Sequence, residues 1–278
     1  MSVAKEKLAS ALFFASALAS VLAVLLICFF LFINGIPAIA EIGFTNFIFG
    51  EEWSPTDEPP LFGVFPMIIG SIYITAGAIV IGVPIGTLTA VFLARICPRK
   101  PYKIIKPVVR LLAGIPSVVY GFFAMITLIP ITGASILSAS ILLGVMILPT
   151  VIEISESAVR AVPDSYYEGA LALGAGRYRA IFFVLLPAAK SGVLAAVALG
   201  VGRAIGETMA VIMVAGNQAR TPDSIFEGVR TLTANIVIEM GYAADLHREA
   251  LIATGVVLFV FILIINLSFS ALANRSFR

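Results

Sequence analysis

Charge, cysteine and histidine are all scarce in this chain of 278 residues. Only 12% of the residues are charged and 60% are hydrophobic, whereas about a quarter are charged in an ordinary soluble domain. The two cysteines, Cys28 in an apolar stretch and Cys97 in a basic one, do not suggest a disulfide. The single histidine, His247, cannot build a metal site, and we expect it in a solvated loop. A mean hydropathy of +1.07 excludes a soluble globular domain and indicates a chain that needs lipid as its solvent.

The sequence also lacks the motifs of nucleotide binding and catalysis. Lys190-Ser191 has no G-x-x-x-x-G before it, so the loop that cradles the phosphates of ATP is missing. Gly200, Gly202 and Gly206 do not keep the dinucleotide-binding spacing, and we interpret them as helix-packing glycines. We find no nucleophile–base pair, metal-ligand cluster or nucleic-acid-binding stripe. We therefore expect neither an enzyme nor a chain that binds a cofactor, metal or nucleic acid by itself.

Six apolar stretches are each long enough to cross a bilayer, which takes about 20 residues. They cover residues 8–33, 65–94, 107–129, 134–152, 188–215 and 251–273. The first follows two lysines, but at about 25 apolar residues it is too long for a cleaved signal peptide. The sequence thus predicts an all-α integral membrane protein of six transmembrane helices, with residues 1–278 forming a single transmembrane domain that contacts lipid.

The distribution of Lys and Arg predicts the orientation, because positively charged loops stay in the cytoplasm. Fourteen of the eighteen basic residues lie on one side of the spans: Lys5, Lys7, Arg95, Arg99, Lys100, Lys103, Lys106, Arg110, Arg160, Arg177, Arg179, Lys190, Arg275 and Arg278. The loops at residues 35–64 and 217–247 lie on the other side. We therefore expect a multi-pass protein of the inner (plasma) membrane with both termini in the cytoplasm.

The first outward loop, residues 35–64, has no Lys or Arg. Its five acids surround an aromatic cluster. The acids are Glu41, Glu51, Glu52, Asp57 and Glu58, and the cluster is Phe44, Phe47, Phe49 and Trp53. One interpretation is an interfacial aromatic belt beside a solvated acidic turn. The other is a docking surface for an external partner, because an acidic mouth repels an anion that arrives free.

The polar stretch of residues 153–187 predicts a folded cytoplasmic loop. Ser165 and Glu168 match an S-x-x-E capping box, and Gly174 is placed to stop a helix over residues 165–173. A second helix is predicted over residues 177–186. Helix, glycine corner and helix together make a compact projection from the membrane.

The same stretch resembles the permease subunits of binding-protein-dependent ABC importers, whose loop reads E-A-A-x-x-x-G, nine residues, then I-x-L-P. Glu168-Gly169-Ala170, Gly174, Val184 and Leu186-Pro187 keep that spacing, with Gly169 and Val184 as departures. The resemblance implies a type I importer permease fold. It also implies that a coupling helix contacts a separate ATPase through Ser165, Glu168, Gly169, Ala170, Leu173 and Gly174. Further partners implied are a sister permease in a heterodimer, two ATPase subunits that use ATP and Mg, and an extracytoplasmic solute-binding protein.

Three further stretches resemble the phosphate permeases of that family: LAGIPSVVYGF at residues 112–122, LPTVIE at residues 148–153 and RAIGETMA at residues 203–210. This resemblance implies import of inorganic phosphate, with a phosphate-binding protein outside. Permeases for sulfate, molybdate or tungstate tend to carry Gly-Glu-Phe-Gly where this chain has Gly206-Glu-Thr-Met, but they and phosphonate permeases stay open. An ion-coupled secondary transporter would leave the loop at residues 168–187 unexplained. A membrane scaffold that reports phosphate status is compatible with transport.

Arg203 and Glu207 are the only ionisable residues predicted deep inside a span. An Arg at the bilayer centre costs about 2.5 to 3.5 kcal/mol on insertion scales, so we expect it to face the interior and find a partner. The i, i+4 spacing places Glu207 on the same helical face. Gly202 and Gly206 repeat at the same interval, which permits close approach of another helix.

Two roles are open for this pair. It either forms an internal ion pair that fixes the register of packed helices, or it lines a substrate pathway together with Gly206 and Thr208. In the second case a guanidinium suits the oxygens of phosphate, and Glu207 either accepts the phosphate hydroxyl proton or neutralises Arg203 until substrate arrives.

We predict that a topology reporter inserted after Glu52 is located outside and one inserted at Arg99 inside, because the flanking loops differ so strongly in basic residues. Accessibility of engineered cysteines to an impermeant thiol reagent in intact cells measures this. A reporter at Glu52 found inside would reverse the orientation.

Overall fold

The computed structural model describes the backbone of residues 3–275 and the side chains of residues 6–271. Three predicted cytoplasmic cations fall outside this range: Arg278 wholly, and Lys5 and Arg275 at their side chains. The α-helices of the described part are α1 (Val3–Ile42), α2 (Phe44–Phe49), α3 (Phe65–Val91), α4 (Arg99–Ala113), α5 (Ser117–Thr127), α6 (Ile129–Thr132), α7 (Ile136–Ala161), α8 (Asp164–Ala172), α9 (Arg177–Ala180), α10 (Leu186–Ala188), α11 (Lys190–Gly206), α12 (Met209–Val214), α13 (Leu232–Glu239) and α14 (Asp245–Arg275). Strands β1 (Trp53–Ser54) and β2 (Leu61–Phe62) form a small antiparallel hairpin.

Within residues 3–275, four helices are long and apolar enough to cross a membrane: α1, α3 with the π-helical turn Phe92–Ile96 that extends it, α7 and α14. Two more spans are possible only as bent pairs. Helix α4 meets α5 at 97°, and the helical segment Arg177–Ala188 meets α11 at 69°. The number of spans therefore agrees with the predicted six if each bent pair crosses once.

The predicted spans at residues 107–129 and 188–215 are not continuous helices in the structure. Gly114 ends α4 and Pro116 precedes α5, and a residue before proline is biased away from the α conformation, so the chain turns there. The second stretch bends at Ala189 and is broken again at Glu207. Both features place non-helical backbone within the bundle.

The bundle has two ends of different character. At the acidic end, the last turns of α1, the β1–β2 hairpin and the start of α14 enclose a core of Phe47, Trp53, Phe62, Met67 and Leu251. At the basic end, the π-helical turns and the helices after α7 enclose a second core, formed by Val91, Val159, Val162, Ile181, Leu185 and Ala189. Between the ends, α3 packs closely against α7. A Cβ added at Gly82 would lie only 2.7 Å from the carbonyl oxygen of Gly144, so this close approach requires glycine.

A buried carboxylate holds α4 on α7 at the basic end. Glu156, only 2% exposed, accepts hydrogen bonds from the Tyr102 hydroxyl at 2.9 Å, Lys106 Nζ at 2.8 Å and Arg160 Nε at 2.8 Å. Its position was not expected, since the fourth span was predicted to end at residue 152, whereas α7 runs to Ala161.

We predict that Glu156→Gln lowers the stability of the purified chain by about 3 kcal/mol or more, because Lys106 keeps a buried charge without its main counter-ion. Thermal unfolding in detergent measures the loss. The matched control is Glu153→Gln, whose side chain is 35% exposed and whose loss should stay below about 1 kcal/mol. Equal losses for the two variants would contradict the assignment.

Candidate functional site

Helix α11 is interrupted inside the bundle. It ends at Gly206 because Glu207 has an extended backbone with a ψ of 129°, and the helix resumes as α12. The freed polar groups find partners: the Glu207 carbonyl oxygen accepts from Thr233 Oγ1 at 3.1 Å, and the Ala210 amide donates to Glu207 Oε1 at 3.3 Å. Non-helical backbone at membrane depth is tolerated only where protein or a water-filled cavity surrounds it.

Arg203 lies on α11 one turn before this break. Its Nη1 is 3.4 Å from Thr150 Oγ1 on α7, a long hydrogen bond. No ion pair joins Arg203 to Glu207, although the structure describes both side chains. The predicted i, i+4 pair is wrong because α11 ends one residue before Glu207, whose carboxylate turns to the Ala210 amide instead.

The glycines of α11 divide between a packed face and an open one. A Cβ added at Gly200 would lie 3.1 Å from Val151 Cγ2, so this glycine permits contact with α7. A Cβ at Gly202 or Gly206 would meet nothing within 4 Å, so the packing predicted for those two is wrong within this chain. Arg203 is three residues from both Gly200 and Gly206, so helical periodicity places it at the border between the packed face and the open one. An open surface therefore adjoins the guanidinium.

The structure thus brings together Arg203, Gly206, Glu207 and Thr208, with the Thr208 hydroxyl 3.3 Å from the Gly206 carbonyl oxygen. Sequence reasoning missed two hydroxyls of this region, Thr150 and Thr233. Thr150 lies within the LPTVIE motif at residues 148–153, and this motif could have identified it as a site residue. No comparable signal marked Thr233.

The predicted coupling helix is α8. It begins at Asp164, after Pro163, and makes no side-chain cap, so the Ser165–Glu168 capping box is wrong. Its start is fixed instead by an ion pair of 2.6 Å between Asp164 and Arg95, which also donates to the Val162 carbonyl oxygen. The predicted stop is confirmed, because Gly174 has a φ of +85° and the Ala175 amide bonds the Ala170 carbonyl oxygen at 3.0 Å.

Helix α8 projects from the bundle. Of the six residues predicted to contact an ATPase, Ala170 is buried, whereas Ser165, Glu168, Gly169, Leu173 and Gly174 are exposed. Leu173 is 91% exposed. The second predicted helix is present as α9, the π-helical turn Ile181–Leu185 and α10. This loop is a folded projection with an apolar tip.

A second polar cluster lies at the acidic end. We call Trp53, Arg230, Glu239 and His247 the Glu239 cluster, because the other three side chains donate to that carboxylate. His247 is in the first turn of α14 and bonds Glu239 Oε2 at 2.8 Å, so the predicted solvated loop position is wrong. Trp53 is buried and cannot be a belt residue or an exposed contact, although Phe44 and Phe49 remain exposed.

Broken spans beside an arginine with no ion-pair partner among the described side chains, together with a folded polar loop, are features suited to a membrane permease. Residues 82–278 match the family model of the binding-protein-dependent transport system inner membrane component. The chain belongs to this family of multi-pass membrane transport components.

Relatives and solved structures agree. The chain is 40% identical to the probable ABC transporter permease protein YqgH of Bacillus subtilis over 91% of its length and 87% of the relative. It is 32% identical to the phosphate transport system permease protein PstC of Mesorhizobium japonicum over 93% of its length and 88% of the relative. A crystal structure of a bacterial alginate ABC transporter in complex with an alginate pentasaccharide-bound periplasmic protein has the same fold. Its TM-score is 0.69 at 17% identity, over 98% of this chain and 97% of the other.

We predict that Gly200→Leu lowers the thermal stability of the purified chain, whereas Gly202→Leu leaves it near the wild-type value. The first side chain would overlap Val151, and overpacking typically costs about 1 to 3 kcal/mol. The second would extend into open space. Unfolding curves in the same detergent compare them, and an equal loss for Gly202→Leu would show that its face is packed.

Proposed function

We propose that this chain is one of two permease subunits of an ATP-driven importer of inorganic phosphate, and that the pathway passes along the open face of α11. The observation that carries the proposal is the Arg203 guanidinium, half-buried beside a helix break with one long hydrogen bond among the described residues. A charge is costly at membrane depth. A site that keeps one without a carboxylate partner is suited to an anion that supplies the missing charge.

The chemistry of the neighbouring groups fits phosphate. A guanidinium offers planar, charge-assisted donors to phosphate oxygens, and the Thr150 and Thr208 hydroxyls can donate or accept. Phosphate near neutral pH still carries a hydroxyl proton, which the Glu207 carboxylate can accept and which sulfate lacks. The similarity to the Mesorhizobium japonicum PstC protein supports the same substrate.

Energy enters through α8 in this proposal. The exposed apolar tip at Leu173 seats on a partner ATPase, which binds ATP and Mg. Arg95 ties Asp164 at the start of α8 to the end of α7, so a push on α8 reaches the spans directly. This assignment places the basic end in the cytoplasm, with two ATPase copies serving this chain and a sister permease.

The acidic end then faces outward and receives a phosphate-binding protein. The loop between α2 and α3 exposes Glu51, Glu52, Asp57 and Glu58, which would repel free phosphate. Delivery by a bound carrier avoids that repulsion. The alginate transporter of the same fold was crystallised with a periplasmic protein, which supports a partner of this kind.

We predict that Arg203→Gln abolishes most ATP-driven phosphate uptake by the reconstituted assembly while assembly and basal ATP hydrolysis persist. Gln keeps hydrogen-bonding capacity but removes the charge that offsets the anion. Uptake of radiolabelled phosphate measures the loss. Arg220→Gln, an exposed arginine at the acidic end, is the control and should transport normally. Normal uptake by Arg203→Gln would remove Arg203 from the mechanism.

We also predict that a cysteine at Leu173 crosslinks to the ATPase subunit, because this side chain is 91% exposed on the loop that we assign to energy coupling. A bifunctional thiol reagent and mass spectrometry of the product detect the bond. A cysteine at exposed Leu199, within α11, should give no such product. Failure of Leu173 and its neighbours to crosslink would contradict the coupling assignment.

A further inference from the structure

Glu239 is held by donors from three separate segments. It is the last residue of α13, where the helix dipole disfavours an anion. Its side chain is 7% exposed, and a buried carboxylate is tolerated only when paired. Trp53 of the hairpin, Arg230 of the loop before α13 and His247 of α14 supply the partners, with Trp53 Nε1 and His247 Nε2 each at 2.8 Å. The position of Glu239 therefore depends on all three segments.

The opposite end of α13 holds the break in α11. Thr233 Oγ1 donates to the Glu207 carbonyl oxygen at 3.1 Å. This first turn is itself fixed, because the Thr231 side chain caps Ala234 and the Leu232 amide donates to Ser71 Oγ of α3 at 3.0 Å. The six residue steps of α-helix from Thr233 to Glu239, about 9 Å, thus separate the Glu239 cluster from the Glu207 carbonyl.

A second connection runs from the same cluster to α12. Arg230 donates from Nη1 to Asn235 Oδ1 at 3.0 Å and from Nε to the Asn217 carbonyl oxygen at 3.1 Å. Asn217 Nδ2 in turn bonds the Ile212 carbonyl oxygen at 2.7 Å, near the end of α12. Both ends of the helix that follows the break are therefore tied to α13 and Arg230.

We propose that α13 is a relay that sets the position of the Glu207 carbonyl according to the state of the hairpin around Trp53. A protein that seats on the acidic loop and shifts Trp53 moves Glu239, and α13 carries the shift through Thr233 to the break beside Arg203. Arrival of a loaded partner outside and the geometry of the pathway are then coupled. The use of the relay in transport rests on the proposed function, whereas the mechanical connection does not depend on the substrate.

Amide hydrogen exchange of the segment 206–212 in the purified chain tests the connection without any transport. Thr233→Val removes the bond to Glu207 and should speed exchange of this segment about fivefold, as expected for the loss of one hydrogen bond. Trp53→Phe keeps the aromatic ring, removes one donor to Glu239 and should also speed exchange, although it lies at the far end of α13. Thr254→Val, a buried hydroxyl that bonds only within α14, is the matched control and should leave the segment unchanged.

The double variant decides whether the two sites act through one element. Effects of independent sites multiply, whereas a relay predicts that Trp53→Phe adds nothing once Thr233 has been replaced. The relay is wrong if Trp53→Phe leaves the segment at the wild-type rate, or if its effect is undiminished beside Thr233→Val. Should Trp53→Phe fail to fold, His247→Leu tests the same end. Wild-type assembly that imports no phosphate would refute the proposed function and leave this result standing.

Discussion

Backbone amides and carbonyls cannot stay unpaired inside a bilayer, and α11 is interrupted at Glu207 all the same. The interruption persists because Thr233 and the Glu207 side chain satisfy the freed groups. Everything that we assign to the pathway follows from this constraint. Because of the break, the Glu207 carboxylate accepts from the Ala210 amide and makes no ion pair with Arg203. That guanidinium has no acidic partner among the described side chains, and the open glycine face of α11 adjoins it.

Buried charged side chains at the two ends of the bundle have more hydrogen-bond partners than the arginine at its centre. Glu156 and Glu239 each accept from three side chains, so they fix neighbouring helices and are saturated. Removing one donor from such a cluster leaves another group unpaired, which is why these clusters hold structure firmly. By comparison, Arg203 makes one long hydrogen bond to the side chains that the structure describes. Saturated clusters are suited to transmitting force, and an undersaturated cation is suited to receiving an anion.

Composition predicted the membrane class, and local stop signals such as Gly174 predicted the folded loop. The predicted six spans agree with the structure if each bent pair crosses once. The sequence patterns did not predict the breaks at Gly114 and Glu207, because hydropathy does not report the direction of the backbone within an apolar stretch. The Trp53, Glu239 and His247 contacts join residues up to 186 positions apart. No local sequence pattern predicts contacts between such distant residues. A single histidine in a polar segment is therefore predicted to be exposed to solvent.

The central claim is that a phosphate anion passes Arg203 in an ATP-driven assembly. Its most direct test is uptake of labelled phosphate by the reconstituted heterodimer with its ATPase and binding protein, in competition with sulfate and molybdate. The account predicts ATP-dependent phosphate uptake that an excess of either competitor leaves nearly unchanged. Uptake that sulfate or molybdate outcompetes, or that proceeds without ATP hydrolysis, would contradict it.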